Sequence, residues 1–224
     1  MLFFLFVLTL SLFTSARGQD VRQEREEPLF RRNPNYRTQT ELYGVYKTQR
    51  VTIVMLGNSI TQGVEWQELL GRPDVVNRGI GSDVTEGYLN RLTYVYALQP
   101  RIVCVMGGIN DLYSNVPVET VFQNYKTLLE ELGANKIIPV VQSTLFVSPK
   151  WRDHETKNRE VALLNGLLKQ YAAENRITYL DVNSILSRDG ALLNEYTWDG
   201  VHLTASGYAR WRDLLEPVLA ELER

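Results

Sequence analysis

The stretch that decides the fold is residues 50–60, RVTIVMLGNSI. Its first part is a run of β-branched and aliphatic residues, typical of a strand that is buried on both faces, and the run stops at Gly57. Asn58 and Ser59 follow at once, and the next residues, 61–71, have the composition of a helix. A buried strand that ends in a tight turn before a helix is the basic unit of an α/β fold.

Four more apolar runs of the same kind follow along the chain, separated by stretches with helical spacing. The runs are 74–80 (DVVNRGI), 101–108 (RIVCVMGG), 136–146 (KIIPVVQSTLF) and 177–182 (ITYLDV); helical stretches include 121–132, 158–174 and a last helix over about 205–223. Alternating strands and helices predict a parallel sheet with helices on both faces. In such folds ligands bind at the carboxyl ends of the strands.

Length and composition favour one globular domain. The chain has 224 residues, of which 44% are hydrophobic and 22% are charged, so it can bury a sizeable core. Its net charge of -2 gives no broad cationic surface, which argues against a nucleic-acid partner. A small, neutral substrate fits this charge better.

The amino-terminal residues are expected to direct export and then to lead into the domain. Residues 1–15 are an apolar run followed by Ala16-Arg17-Gly18, which predicts a cleaved signal peptide over residues 1–18 and a secreted or periplasmic protein. The run is short for a membrane span, although a retained anchor is the alternative. Residues 19–50 are polar and charged, and prolines within them are expected to break any helix, so they predict a polar lead-in before a domain at 51–224.

Cysteine and histidine are scarce, and this limits the chemistry available. Cys104 is the single cysteine, so no intramolecular disulfide can form, and its apolar neighbours predict an inert buried thiol. A thiol-dependent enzyme that uses Cys104 is the alternative. Of the two histidines, His154 lies in a charged stretch that predicts a solvated side chain, which leaves His202 as the candidate base.

Polar residues interrupt the apolar runs at three predicted strand ends. Ser59 follows the first strand, NRGIGSD at 77–83 follows the second, and Asn110 follows the third. A serine there would lie near helix amides, two glycines allow a turn with exposed N–H groups, and an asparagine can donate to a developing oxyanion. Each also has an ordinary explanation, since Ser59 could cap a helix, Asp83 could cap the next, and Asn110 could form a turn.

A fourth polar place, WDGVHLT at 198–204, lies just before the last helix. Asp199 precedes His202 by three residues. In a tight loop this spacing lets the carboxylate reach one ring nitrogen while the other faces a serine. The D-x-x-H pattern is common and nonspecific by itself, so the order of all four motifs carries the weight.

This order of GNS, NRGIGSD, GGIND and DGVH, over about residues 51–208, resembles the SGNH hydrolases, also called GDSL esterases and lipases. The resemblance implies a flavodoxin-like three-layer α/β/α sandwich around a five-stranded parallel sheet. It implies a serine esterase that acts on a small-molecule ester without cofactor or metal. The implied residues are Ser59 as nucleophile, His202 as base, Asp199 as its orienting acid, and Asn110 with the backbone of Gly81 or Ser82 as the oxyanion hole.

Two positions depart from the family pattern. Asn58 stands where many members carry Asp, next to the implied nucleophile rather than in its place. Ser82 aligns with the oxyanion glycine, while Gly81 lies one residue earlier. A serine at this position would be strained if the turn demands positive φ.

The resemblance points to short-acyl esters. The favoured substrate is an acetyl ester on a carbohydrate, including sialic acid, and the alternative is a lysophospholipid or platelet-activating-factor-like lipid ester. Trp66, Trp151 and Trp198 are aromatics that could stack on sugar rings or could pack in the core. A non-catalytic carbohydrate-binding module with the same fold is the alternative from another class, but such a module would have no reason to keep all four polar positions.

Overall fold

The computed structural model describes residues 27–224, and five of its strands form one parallel sheet. The strand order is β2-β1-β3-β4-β5. The strands are β1 Ile53–Gly57, β2 Val75–Gly79, β3 Ile102–Met106, β4 Ile138–Gln142 and β5 Thr178–Leu180, and the short pair β6 Ser187–Arg188 and β7 Ala191–Leu192 forms a separate antiparallel hairpin. The predicted flavodoxin-like fold with five parallel strands is confirmed.

Helices fill the connections between the strands. They are α1 Leu29–Arg32, α2 Pro34–Val45, α3 Ser59–Gln62, α4 Trp66–Leu69, α5 Thr85–Asn90, α6 Thr93–Tyr96, α7 Ile109–Tyr113, α8 Val118–Ala134, α9 His154–Asn175, α10 Asn183–Leu186 and α11 Ala205–Leu222, with a 3₁₀ turn at Asn194–Tyr196. The last helix lies where the sequence predicts it.

The strand order explains how the helices divide into two layers. The chain moves from β1 to β2 at one edge, then crosses to β3 and continues to β4 and β5 in the opposite direction. Because parallel crossovers are right-handed, this reversal places α3 and α4 on one face and α5 to α9 on the other. The α11 helix joins the α4 face, where Trp66 and Trp211 pack edge to face with ring centroids 4.9 Å apart.

The core is built on the central strands. Every residue of β1 and β3 is buried, because each of these strands has neighbours on both sides and helices on both faces. Cys104 lies within β3, and burial raises the pKa of its thiol to about 12. The thiol is therefore buried, as predicted, and stays protonated at neutral pH.

The register of the three strands β2, β1 and β3 makes them end side by side. Gly57 at the end of β1 pairs with Gly79 of β2 and with Met106 of β3. The next residues therefore leave the same edge of the sheet, at the point where successive connections run in opposite directions. This is the place where doubly wound α/β folds bind ligands.

The lead-in segment differs from its prediction, because it contains two helices. Asn33 caps α2 by accepting a hydrogen bond from the Asn35 amide at 3.0 Å, and Pro34 occupies the first helical position. Proline is well tolerated there, since that position has no intrahelical N–H bond to lose. The expectation that Pro28 and Pro34 break any helix is therefore wrong. The predicted signal peptide, residues 1–18, lies outside the described residues and stays a prediction.

Residues 61–71 also differ from the prediction of one helix. They contain the end of α3 and all of α4, separated at Gly63, Val64 and Glu65. The Trp66 indole donates to the Thr61 carbonyl at 2.8 Å, which turns the chain between the two short helices. None of the helices within residues 27–224 has the length and apolar content needed to cross a bilayer.

Candidate active site

Ser59 is the first residue of α3, directly after the turn that follows β1. Asn58 caps this helix, because its side-chain oxygen accepts a hydrogen bond from the Ile60 amide at 3.0 Å. Asparagine in place of aspartate is compatible with this cap, since the amide keeps the acceptor oxygen that the cap needs. Its Nδ2 atom is buried and, in the described part of the chain, has no hydrogen-bond partner.

The structure brings the predicted Ser59, His202 and Asp199 together in a hydrogen-bonded chain. The His202 Nε2 atom lies 2.9 Å from the Ser59 Oγ atom, and the His202 Nδ1 atom lies 2.6 Å from one Asp199 carboxylate oxygen. Ser59 and His202 are 143 residues apart in the sequence, so only the fold places them in contact. Both side chains are partly exposed, which leaves the serine open to a ligand.

The loop that carries Asp199 and His202 is held by its own hydrogen bonds. The second Asp199 oxygen accepts from the backbone amides of Val201 and His202, at 2.8 and 2.7 Å. The Thr197 hydroxyl donates to the His202 carbonyl at 2.7 Å and accepts from the Gly200 amide at 2.8 Å. Gly200 has φ of 106°, a conformation that favours glycine. The D-x-x-H spacing therefore fits a turn that aims the carboxylate at the ring.

The pKa of Asp199 is lowered from its usual value. Burial is the largest influence and acts to raise the pKa, but the hydrogen bonds from the His202 ring and from the Val201 and His202 amides together outweigh it. The carboxylate therefore stays ionised at neutral pH. An ionised Asp199 accepts a hydrogen bond from the Nδ1–H group and leaves the Nε2 lone pair facing Ser59.

Asn110 and the turn at Gly81 and Ser82 lie at the neighbouring strand ends. The Asn110 side-chain nitrogen donates to the Asp83 carbonyl at 2.9 Å, which ties the end of β3 to the turn after β2. Neither the Gly81 nor the Ser82 amide donates to any acceptor within residues 27–224. Ser82 has φ of 60°, so the turn does demand positive φ at the position that aligns with the family glycine.

A buried ion pair that the sequence analysis missed supports this turn. Arg91 donates to the Asp83 carboxylate at 2.8 Å, to the Arg78 carbonyl at 2.7 Å and to the Gly57 carbonyl at 2.9 Å, and both charged side chains are almost fully buried. One guanidinium thus joins the ends of β1 and β2 to the turn. The spacing of the sequence could have indicated that Arg91 is buried. Arg91 follows the buried Tyr88 by three residues and lies on the apolar face of that helical segment.

A second buried carboxylate lies beside Asn110. Asp111 accepts from the Thr85 hydroxyl at 2.6 Å and from the Thr85 amide at 3.0 Å. Burial raises the pKa of Asp111 to about 7, while the bonds from Thr85 act to lower it. Asp111 therefore links α7 to α5 below the site.

The three tryptophans for which sugar stacking and core packing were both left open have different surroundings. Trp66 is buried between α4 and α11, so the packing alternative holds for it. Trp151 is half-buried and packs edge to face on Tyr113. Trp198 is 67% exposed and stacks on the His202 ring, with centroids 5.6 Å apart and planes 18° apart. It is the tryptophan at the site that a ligand can reach.

The chemistry available elsewhere is limited. His154 begins α9 and is half-buried, rather than solvated as predicted. Within residues 27–224, no three His, Cys, Asp or Glu side chains lie close enough together to hold a metal ion.

The arrangement of Ser59, His202 and Asp199 fits nucleophilic attack on a carbonyl. A serine hydroxyl that is hydrogen-bonded to an imidazole, itself oriented by a carboxylate, can attack a carbonyl carbon while it transfers its proton to the ring.

Known proteins are similar in sequence to part or most of this chain. N-acylneuraminate cytidylyltransferase from Streptococcus agalactiae is 36% identical over 101 residues, which is 43% of this chain and 23% of that protein. The chain thus spans about a quarter of the length of these relatives. Human platelet-activating factor acetylhydrolase IB subunit alpha2 is 24% identical over 194 residues, which is 79% of each chain.

Solved structures share the fold over most of this chain. A Bacteroides fragilis protein assigned as an acylhydrolase is 27% identical with a TM-score of 0.75, over 85% of this chain and 98% of that one. A GDSL-like lipase from Bacteroides thetaiotaomicron is 25% identical with a TM-score of 0.72, over 84% of this chain and 98% of that one. The family profile of GDSL-like lipases and acylhydrolases matches residues 55–210, and this chain belongs to that family of ester-bond hydrolases.

Proposed function

We propose that this protein is a serine esterase in which Ser59, His202 and Asp199 are the catalytic triad. The observation that carries the proposal is the hydrogen-bonded chain from the Ser59 hydroxyl through both His202 nitrogens to Asp199, with links of 2.9 and 2.6 Å. The geometry matches the roles that acyl transfer requires of a nucleophile, a base and an orienting acid.

The reaction proceeds in two steps. The Ser59 oxygen attacks the ester carbonyl carbon while the His202 Nε2 atom takes the hydroxyl proton. The Asn110 amide and the free backbone amides of Gly81 and Ser82 are the donors available to the tetrahedral oxyanion. The C–O bond then breaks, and His202 gives its proton to the leaving alcohol. Water, deprotonated by His202, hydrolyses the acyl-enzyme and restores the Ser59 hydroxyl.

The favoured substrate is an acetyl ester on a carbohydrate. Trp198 supports this choice, because its exposed ring stacks beside the catalytic histidine, where the alcohol part of an ester must lie. The name of one relative contains an N-acylneuraminate, which is a sugar, and the name of the other contains an acetylhydrolase, whose platelet-activating factor belongs to the lipid alternative.

The test is hydrolysis of p-nitrophenyl acetate by the wild type and by Ser59→Ala. We expect kcat to fall by roughly 10³-fold or more in this variant, because no nucleophile remains. Ser114→Ala is the matched control, since Ser114 is exposed at the end of α7 and its side chain makes no described contact with the site. Equal rates for Ser59→Ala and the wild type would refute the proposal.

Acyl preference separates the carbohydrate esterase from a lipid esterase. We expect kcat/KM to decrease from p-nitrophenyl acetate to the butyrate and the octanoate. A rate that increases with chain length would favour a lipid ester as substrate instead.

A further inference from the structure

A cavity of about 330 Å³ lies at the free edge of the sheet, between α2 and the short helices that follow β1. Its walls include side chains from both sides: Gln39 and Tyr43 of α2, Tyr46 just after it, Gln62 of α3, and Arg78 of β2. This composition is aromatic and amide-rich, with one cation. The lining is typical of a site for a polar ligand that has several hydrogen-bonding groups.

Arg78 is an incompletely paired cation in this wall. The residue is 4% exposed, one terminal nitrogen donates to the Asn77 carbonyl at 3.0 Å, and the Nε atom has no hydrogen-bond partner among the residues that the structure describes. Within residues 27–224 no carboxylate forms an ion pair with it, although Glu65 also lines the cavity.

Two tyrosines hold the guanidinium in place. Its carbon lies 4.4 Å from the Tyr43 ring centroid and 5.8 Å from that of Tyr46. These contacts stabilise a cation, but they use none of the N–H donors that remain beside the bond to the Asn77 carbonyl. Since a buried charge without an opposite charge is costly, the arrangement favours an anionic ligand that completes the pair. A carboxylate matches the planar guanidinium best, because it can accept two parallel N–H bonds.

The cavity adjoins the proposed active site through Gln62. Gln62 follows Ser59 by three residues in α3, and side chains at that spacing lie on one side of a helix. Its side-chain oxygen also reaches the oxyanion turn, since a Cβ placed on Gly81 would lie 3.2 Å from it. Gln62 thus lies in the wall of the cavity and beside the oxyanion turn, whereas Ser59 and His202 do not line the cavity.

We propose that this cavity is a binding subsite for the carboxylate of an acidic sugar, such as a uronic acid, whose acetyl ester Ser59 hydrolyses. Arg78 binds the carboxylate, and Gln39 and Gln62 provide donors and acceptors for ring hydroxyls. The half-exposed Tyr46 offers an aromatic face to the ring. This assignment rests on the proposed esterase function and narrows its substrate to acidic carbohydrates.

Direct binding tests the subsite independently of turnover. Calorimetric titration of the wild type with D-glucuronate and with D-glucose compares two sugars that differ in the carboxylate. We expect glucuronate to bind at least about tenfold more tightly, as a charge-assisted hydrogen bond predicts, and Arg78→Gln to remove the difference. Equal binding of the two sugars by the wild type would overturn the inference.

Gln39→Glu gives a second variant in case Arg78→Gln does not fold, because Gln39 lines the cavity from α2 and is only half-buried. The added negative charge is expected to weaken glucuronate binding by a larger factor than glucose binding, because both sugars lose the amide of Gln39 but only glucuronate is repelled by the new carboxylate. Gln123→Glu, on the exposed side of α8, makes the same charge change away from the cavity and controls for it. Equal effects of the two variants would count against the subsite.

Turnover distinguishes this inference from the proposed function. We expect the wild type to hydrolyse an acetylated methyl glucuronide with about tenfold higher kcat/KM than the matching methyl glucoside, and Gln39→Glu to reduce that ratio. If p-nitrophenyl acetate is hydrolysed in a Ser59-dependent manner but the two sugar esters react equally, only the subsite is refuted. If no ester is hydrolysed, the esterase proposal fails and the titration alone decides the subsite.

Discussion

At the scale of single residues, Ser82 shows how the turn after β2 is built. Its φ of 60° is a left-handed conformation, which costs a non-glycine residue about 1–2 kcal/mol. The side chain is exposed and so gains little from packing. The turn keeps this conformation because Asp83, the next residue, is fixed by Arg91 through its carboxylate and by Asn110 through its carbonyl.

Substitutions at Ser82 are expected to separate backbone strain from side-chain loss. Ser82→Gly relieves the strain but increases the entropy of the unfolded chain, so we expect the free energy of unfolding to change by less than about 1 kcal/mol. Ser82→Val should lower it by about 1–2 kcal/mol, because a β-branched residue fits positive φ poorly. Urea denaturation measures both, and equal stability of the two variants would show that the turn is unstrained.

At the scale of elements, α2 is docked onto the edge strand rather than extended into solvent. The Tyr43 hydroxyl donates to the Gly79 carbonyl at 3.1 Å, and the Asn33 side chain donates to the Gly81 carbonyl at 2.8 Å. The helix thus covers β2 where the sheet would otherwise end in an open edge, and exposed edges invite unwanted pairing.

This docking predicts a contrast between two residues of α2. Tyr43→Ala should lower the free energy of unfolding by about 3 kcal/mol or more, because it removes a buried ring and its hydrogen bond. Val45→Ala, at a site that is 71% exposed, should change it by less than about 0.5 kcal/mol. Chemical denaturation provides the comparison, and similarly small effects would contradict the docked position of the helix.

The elements that the sequence predicts well are those with long, uniform patterns. The strand at 101–108 is a continuous apolar run, and its burial follows from its composition. The segment 61–71 contains helix-forming residues but also Gly63. The prediction of one helix was wrong because the Trp66 indole donates to the Thr61 carbonyl and turns the chain between α3 and α4. The α2 helix begins with a recognisable pattern, an asparagine cap followed by a proline at the first helical position. The charged residues around it favoured the prediction of an irregular segment instead.

At the scale of the whole molecule, the Arg91–Asp83 pair joins parts that are remote in sequence. Through carbonyl contacts it connects the end of β1 with the end of β2, and the Asp83 carbonyl continues to Asn110 after β3. Three strand ends around the candidate site are thus held by one buried network. Breaking such a network is costly, because the remaining charge has no solvent to replace its partner.

Arg91→Met is expected to lower the free energy of unfolding by about 3–5 kcal/mol, since it leaves Asp83 buried and unpaired. Glu41→Gln breaks an exposed ion pair with Arg37 on α2 and should cost less than about 0.5 kcal/mol. Thermal and urea denaturation of both variants measure the difference. An Arg91→Met protein as stable as Glu41→Gln would show that the buried pair contributes little.

The sequence by itself determined the alternation of strands and helices, and hence the parallel sheet, because hydrophobic periodicity is a local property. It also indicated Ser59 and Asn110 through their places at strand ends, and the pairing of Asp199 with His202 through a spacing of three residues. The contact of His202 with Ser59, the docking of α2, and the burial of Arg78 and Trp66 were decided only by the tertiary structure. Each depends on residues distant in the chain, and local patterns carry no information about which distant surfaces meet.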